Sequence, residues 1–132
     1  MYQATQMSTS HAAESTSEQF LALLIAEKQR LEAAVLRSLE TLENLDAERA
    51  AADDQVPLLH EQFVSIRQNN LAHRTLREIE ASIARLKRGE YGACQGCDEA
   101  IAERRLKAIP WTRYCVTCQE QREEQERRAL AA

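Results

Sequence analysis

The sequence predicts a mainly α-helical protein: two long helices paired as an antiparallel coiled-coil hairpin, then a small four-cysteine module and a C-terminal helix. Three observations lead there. Only three glycines and two prolines occur among 132 residues, and Ala, Leu, Glu, Arg and Gln dominate, a mixture that favours long helices. Apolar residues recur at three- and four-residue steps through two long stretches separated by one short break. All four cysteines lie in two Cys-x-x-Cys pairs near the C-terminus. Aromatic residues make up 5% of the chain, too few for a large globular core.

Residues 1–16 are polar, without the apolar run of a signal peptide, and read as a flexible tail. Ser17 followed by Glu18 offers a helix cap and an acid for the helix dipole. From there to about Ala52 no Gly or Pro interrupts the pattern. Leu24, Leu31, Val35, Leu42 and Leu45 form one stripe, widened by Leu21, Ile25 and Leu39. A rod of roughly 50 Å follows at 1.5 Å per residue, and it needs a partner helix. The stretch from Pro57 to Lys87 supplies one. Leu59, Phe63 and Ile66 start its stripe, and Leu76, Ile79, Ile83 and Leu86 finish it. Asn69, Asn70 and His73 between them should loosen the packing. Pro57 suits a first helical turn, and the connection at 51–57 is short enough to force an antiparallel hairpin over 17–88. Asp53 and Asp54 fall at its tip, where they serve either as contacts or as plain N-caps of the second helix.

Gly89 closes the second helix, and residues 89–118 form the module. Cys94/Cys97 and Cys115/Cys118 stand 17 residues apart, the spacing of a four-thiolate zinc site. Two residues between thiols let one tight turn aim both sulfurs at a single ion, and two such turns complete a tetrahedron. Two disulfides or four free thiols are the alternatives. With no secretion signal, reduced thiols and one structural Zn2+ are expected, and four thiolates leave no open position for catalysis. Ile101, Leu106, Ile109 and Trp111 can form a miniature core around the metal, and Pro110 and Trp111 break any helix before Cys115. A charged C-terminal helix occupies 119–132, its pattern starting at Val116.

Charge narrows the partners. Residues 1–83 carry 13 acids and 7 bases, whereas 84–113 carry 4 and 7. An acidic body argues against general nucleic-acid binding, which depends on neutralising phosphates, and no sequence-specific DNA binding is expected. Arg88, Arg104, Arg105 and Lys107, with Arg85, Lys87 and Arg113, are either a contact patch or a solvated face. No stretch approaches a membrane span, so a cytoplasmic protein is expected. His11, His60 and His73 are isolated, and no phosphate loop or nucleophile–base signature occurs, so no enzyme is expected. A zinc-ribbon nucleic-acid module and a zinc-stapled coiled-coil adaptor remain as alternative functions.

The run Gly89-Glu90-Tyr91-Gly92-Ala93-Cys94-Gln95-Gly96-Cys97, then Ile101, Arg105-Leu106, Ala108, Pro110 and Cys115-Val116-Thr117-Cys118-Gln119, closely resembles the DksA/TraR family of zinc-finger proteins. The resemblance implies a transcription regulator that binds RNA polymerase rather than DNA. Its hairpin would enter the polymerase secondary channel, and its tip would approach the active centre. Family tips carry Asp-x-x-Asp-x-Ala, which an ungapped count from Cys94 places on Ala51, Asp54 and Val56, with Asp53 one residue away. The family's alarmone-binding basic positions fall on Glu78, Ile109 and Gln119, none of them basic, so ppGpp binding is expected to be weak or absent.

Overall fold

The computed structural model describes the backbone of residues 2–51 and 56–131 and the side chains of 16–51 and 57–131. Four helices follow in order: α1 (Tyr2–Ala51), α2 (Val56–Lys87), α3 (Glu103–Ala108) and α4 (Val116–Ala131). Among the described residues extended pairing is limited to one isolated bridge, Ala93 with Ala100. The fold class is therefore the one the composition implies. One boundary differs from expectation. Helix α1 begins at Tyr2, well before Ser17, so 2–16 are helical rather than a flexible tail. Nothing between Tyr2 and Ser17 is Gly or Pro, and Ser17 continues the helix instead of capping it. Helix α4 starts at Val116, so Cys118 belongs to its first turn. Asp53 and Asp54 lie outside the described residues.

The chain divides into two compact units, Met1–Leu24 with Ala81–Ala132, and Ile25–Glu80. In the second unit α1 and α2 run antiparallel. Lys28 Nζ reaches Glu80 Oε1 at 3.8 Å at one end. Ser38 Oγ donates to the Ser65 carbonyl at 3.4 Å, and near the other end Gln62 Nε2 donates to Asp46 Oδ1. Arg49 Nη1 adds a bond to Gln62 Oε1 at 3.4 Å, so buried Gln62 has partners for both ends of its amide.

Val35 and Leu45 of α1 are buried in this unit, with Leu31 and Leu42 half-buried, as their stripe requires. Ile25 and Leu39, expected to widen it, are exposed. The larger correction is in α2. Its C-terminal half faces inward through Leu76 and buried Ile79. Its N-terminal half turns inward Leu58, Gln62, Ser65, Asn69 and Ala72, while Leu59, Phe63 and Ile66 are exposed. The reason is helical phase. Counting back from Ile79 in four- and three-residue steps arrives at 76, 72, 69, 65, 62 and 58, and an unbroken helix cannot rotate to recover Phe63. The inward stripe thus becomes polar along this half. Asn69 Oδ1 is buried without a hydrogen-bond partner among the described residues, a desolvation cost of about 1–3 kcal/mol. The polar stretch anticipated at Asn69 is real, although Asn70 and His73 point outward.

Candidate metal centre

The first unit is built around the cysteines. Phe20 of α1 is buried with Cys94, Ile101 and Leu106, and Leu86, Tyr91, Tyr114, Cys115 and Cys118 pack against them. Phe20 and Tyr91 meet with ring centroids 5.4 Å apart, tilted at 46°, a favourable aromatic geometry. The Tyr91 hydroxyl donates to the Pro110 carbonyl at 2.7 Å. Burial pushes its pKa up to about 12, against the opposing effect of Arg85. Ile109 and Trp111 are half-buried.

Helix α2 ends where Gly89 adopts φ 73°, the left-handed conformation of a helix C-terminus. Glu90 N then donates back to the Arg85 carbonyl at 2.9 Å. The first knuckle follows. Ile101 N donates to Gly92 O at 2.8 Å, Cys94 N to Glu99 O at 2.8 Å and Asp98 N to Cys94 O at 2.9 Å. Asp98 sits at φ 62°, which its short polar side chain tolerates. Gln95 N donates to Arg113 O at 2.9 Å, tying this knuckle to the second.

The result is a single sulfur cluster. The four Sγ atoms all lie within 4.8 Å of one another, and those of Cys97 and Cys115 are 3.9 Å apart. A tetrahedron with Zn–S near 2.3 Å has edges of about 3.8 Å, so the cluster is of the size that one zinc ion needs. Backbone amides reach the sulfurs as well. Backbone N–H groups of Gly96 and Cys115 donate to Cys94 Sγ at 3.3 Å each, and that of Cys118 to Cys115 Sγ at 3.5 Å. At Cys94, burial opposes the thiolate, but the N–H groups of Cys115, Gly96 and Cys97 and the Cys118 thiol outweigh it and bring the pKa down to about 6. Hydrogen bonding to Cys115 and Cys94 instead pushes Cys118 up to about 12. Thiolates are the ligands zinc takes, so metal binding releases protons from this cluster.

Gly96 is required by close approach. A Cβ there would lie 3.0 Å from Cys118 Sγ and 3.2 Å from its Cβ. Gly96→Ala is expected to weaken zinc binding about tenfold or more by displacing that ligand, measured by competition with a chromophoric chelator. Unchanged affinity would mean that the knuckle yields at no cost.

The proposed basic patch is only partly a free surface. Arg85 is buried and donates to Ser82 Oγ at 2.9 Å. Arg105 is half-buried, and its Nε donates to the Tyr114 carbonyl at 3.0 Å, bracing the chain just before Cys115. Arg88 and Lys107 are exposed but pair with Glu90 at 3.1 Å and Glu103 at 3.3 Å, and Arg104 is exposed. Sequence reasoning missed the structural roles of Arg85 and Arg105 because both look like surface charges. Helix α4 buries none of its residues, and Arg122 covers the Tyr114 ring at 4.5 Å. Of the alarmone-related positions, Ile109 and Gln119 are half-buried here, with the Gln119 amide donating to Glu123 at 2.9 Å. Glu78 belongs to the other unit. No helix among the described residues is long and apolar enough to cross a membrane.

A helical hairpin with a four-cysteine zinc module defines the class, and comparison with known proteins agrees. Residues 89–124 match the prokaryotic DksA/TraR C4-type zinc finger. An uncharacterized protein of Aquifex aeolicus is 36% identical over 101 residues, 74% of this chain and 70% of that one. The RNA polymerase-binding transcription factor DksA of Haemophilus influenzae is 29% identical over 72 residues, 54% of this chain but only 46% of its own length. The solved structure of transcription factor DksA2 from Pseudomonas aeruginosa superimposes with a TM-score of 0.75 at 29% identity, covering 86% of this chain and 88% of that one. The chain belongs to the DksA/TraR family, and its four cysteines are positioned to bind one zinc ion.

Proposed function

We propose that this protein is a transcription regulator that binds RNA polymerase through the secondary channel and alters initiation, with the hairpin tip at Asp53 and Asp54 approaching the active centre. The observation that carries this reading is the match to the DksA2 transcription factor across 86% of the chain, helices and zinc module together. The cysteine cluster supports a structural metal, since four protein ligands leave no site for substrate. Helix pairing in the 25–80 unit rests on specific polar contacts such as Asp46–Gln62, which suits a slender element working outside any globular core. Arg88, Arg104 and Lys107 are the exposed bases available for a polymerase contact, whereas Arg105 serves the module itself. Action without ppGpp follows from Glu78, Ile109 and Gln119, which offer a carboxylate, a hydrocarbon and an amide where a polyanion needs cationic donors.

The test is binding of the zinc-loaded chain to purified bacterial core polymerase, with initiation in vitro at a ribosomal-type promoter. Saturable binding and altered initiation are expected, with ppGpp changing the effect less than about twofold in an enzyme lacking other alarmone sites, since each lost charge-assisted bond removes about ten- to a hundredfold in affinity. No polymerase binding, together with a steeply salt-dependent affinity for DNA or RNA, would replace this reading by a nucleic-acid-binding one.

A further inference from the structure

Helix α2 carries two apolar stripes that do not agree. Leu76 and buried Ile79 face α1, and their phase sets Leu58, Gln62, Ser65, Asn69 and Ala72 inward. Leu59, Phe63 and Ile66 form a second stripe with the same steps but one residue out of phase, and they are 42%, 63% and 49% exposed. Hydrocarbon burial favours the second stripe, Phe63 above all. Continuity with Ile79 opposes it only while the intervening helix stays α. That link is weak. Its inward side chains are Ser65, Asn69 and Ala72, and at the level fixed by the Ser38–Ser65 bond α1 offers half-buried Ala34 and Ser38. All are small or polar, and Asn69 Oδ1 is buried without a partner among the described residues. Two turns of 3₁₀ helix take about six residues where two α-turns take about seven. Tightening between Ile66 and Ala72 would therefore bring Phe63 round to where Gln62 lies.

We infer that Gln62 is a positioning residue: held by Asp46 and Arg49, its amide selects the phase of the N-terminal half of α2 and keeps Phe63 out of the helix pair. Gln62 is the one fully buried side chain of α2 between Pro57 and Glu78. Its Nε2 donates to Asp46 Oδ1, and its Oε1 accepts from Arg49 Nη1 at 3.4 Å. An amide has a donor end and an acceptor end, and α1 presents an acceptor and a donor three residues apart, neighbours on one helix face. The observed phase satisfies both. In the rotated phase Phe63 would stand at that level and offer neither, while the Gln62 amide would turn towards water. Buried polar contacts of this kind add little net stability but penalise other arrangements, as a single buried Asn does in fixing coiled-coil register. Burial of Phe63 and the two bonds of Gln62 thus oppose each other, and the bonds prevail. The inference concerns the hairpin alone and does not rest on polymerase binding.

Fluorine NMR of the zinc-loaded full chain tests this. The chain has two phenylalanines, Phe20 and Phe63, so incorporation of 4-fluorophenylalanine gives two resonances, with F63L assigning them. In the unmodified protein a neutral gadolinium chelate in solution should broaden the exposed Phe63 signal and spare that of buried Phe20. Q62A removes the amide, and D46A removes its acceptor at an exposed position that threatens folding less. In both, the Phe63 signal should lose its broadening and approach the Phe20 level. Q62L places hydrocarbon at the inward position, so it should keep Phe63 exposed and melt no lower than the parent. Far-UV circular dichroism confirms that each variant retains its helices. A residue with a merely structural role would lower the melting temperature and leave Phe63 exposed throughout. Phe63 already shielded in the unmodified protein, still exposed in both Q62A and D46A, or shielded in Q62L would each overturn the inference.

Discussion

Replacing Cys94 by Ser, or stripping zinc with a chelator, is expected to collapse the order of residues 89–118 while leaving most of the helical signal intact. The magnitude decides the outcome. Zinc held by four thiolates contributes on the order of 10 kcal/mol to a small module, as much as the whole stability of an ordinary domain. The apolar support is small by comparison: Phe20, Ile101 and Leu106 are the buried hydrocarbon side chains that adjoin Cys94. Without the ion, the four clustered sulfurs, among them that of Cys94 at 1% exposure, lose the cation that would hold them together. Helices α1 and α2 depend on the metal much less, because their ladder from Lys28–Glu80 to Asp46–Gln62 lies in the other unit. Trp111 is the chain's one tryptophan and is half-buried in the module, so its emission should shift to the red on metal removal. Near-UV ellipticity and protease resistance of 89–118 should fall together. A metal-free protein with an unchanged Trp111 spectrum would show that the module folds on its own core and that zinc is dispensable.

What the sequence revealed and what it concealed have physical causes. Cysteine spacing determined the sulfur cluster because a two-residue turn leaves little choice about where the thiols point. Helix pairing was legible because Pro57 and the short connection permit one arrangement. The inward face of α2 was not legible near Phe63, since hydrophobicity alone favours burying a phenylalanine, and only the phase carried back from Ile79 puts Gln62 there instead. Gln62 could have been found by extending the Leu76–Ile79 stripe backwards without regard to residue type. Helix α3 was missed because six residues ending at Ala108, just before Ile109-Pro110, have no periodicity to read. Arg85 escaped notice for a similar reason: nothing in the sequence marks an arginine that folds back onto Ser82.

Changing Asp53 and Asp54 together to Asn is expected to abolish the effect on initiation while leaving polymerase binding within about twofold. In the sequence these residues fall between Ala51 and Val56, and by the resemblance Asp54 matches the second aspartate of the family tip pattern. The resemblance sets Ala51 where the family pattern has its first aspartate, so under the proposed function Asp54, with Asp53 beside it, is the carboxylate to test. The amide is a demanding control. Asn caps a helix about as well as Asp, so the start of α2 is preserved if capping is the only task of these residues, and stability should change by less than about 1 kcal/mol. Binding should persist because it would draw on the hairpin flanks and the exposed bases near the zinc module, not on the tip alone. Charge at the tip is then the single property removed. Transcription from a ribosomal-type promoter, measured beside polymerase affinity for the same preparation, separates the two roles. Regulation that survives in the double variant would assign the carboxylates to helix capping and move the regulatory contact elsewhere on the chain.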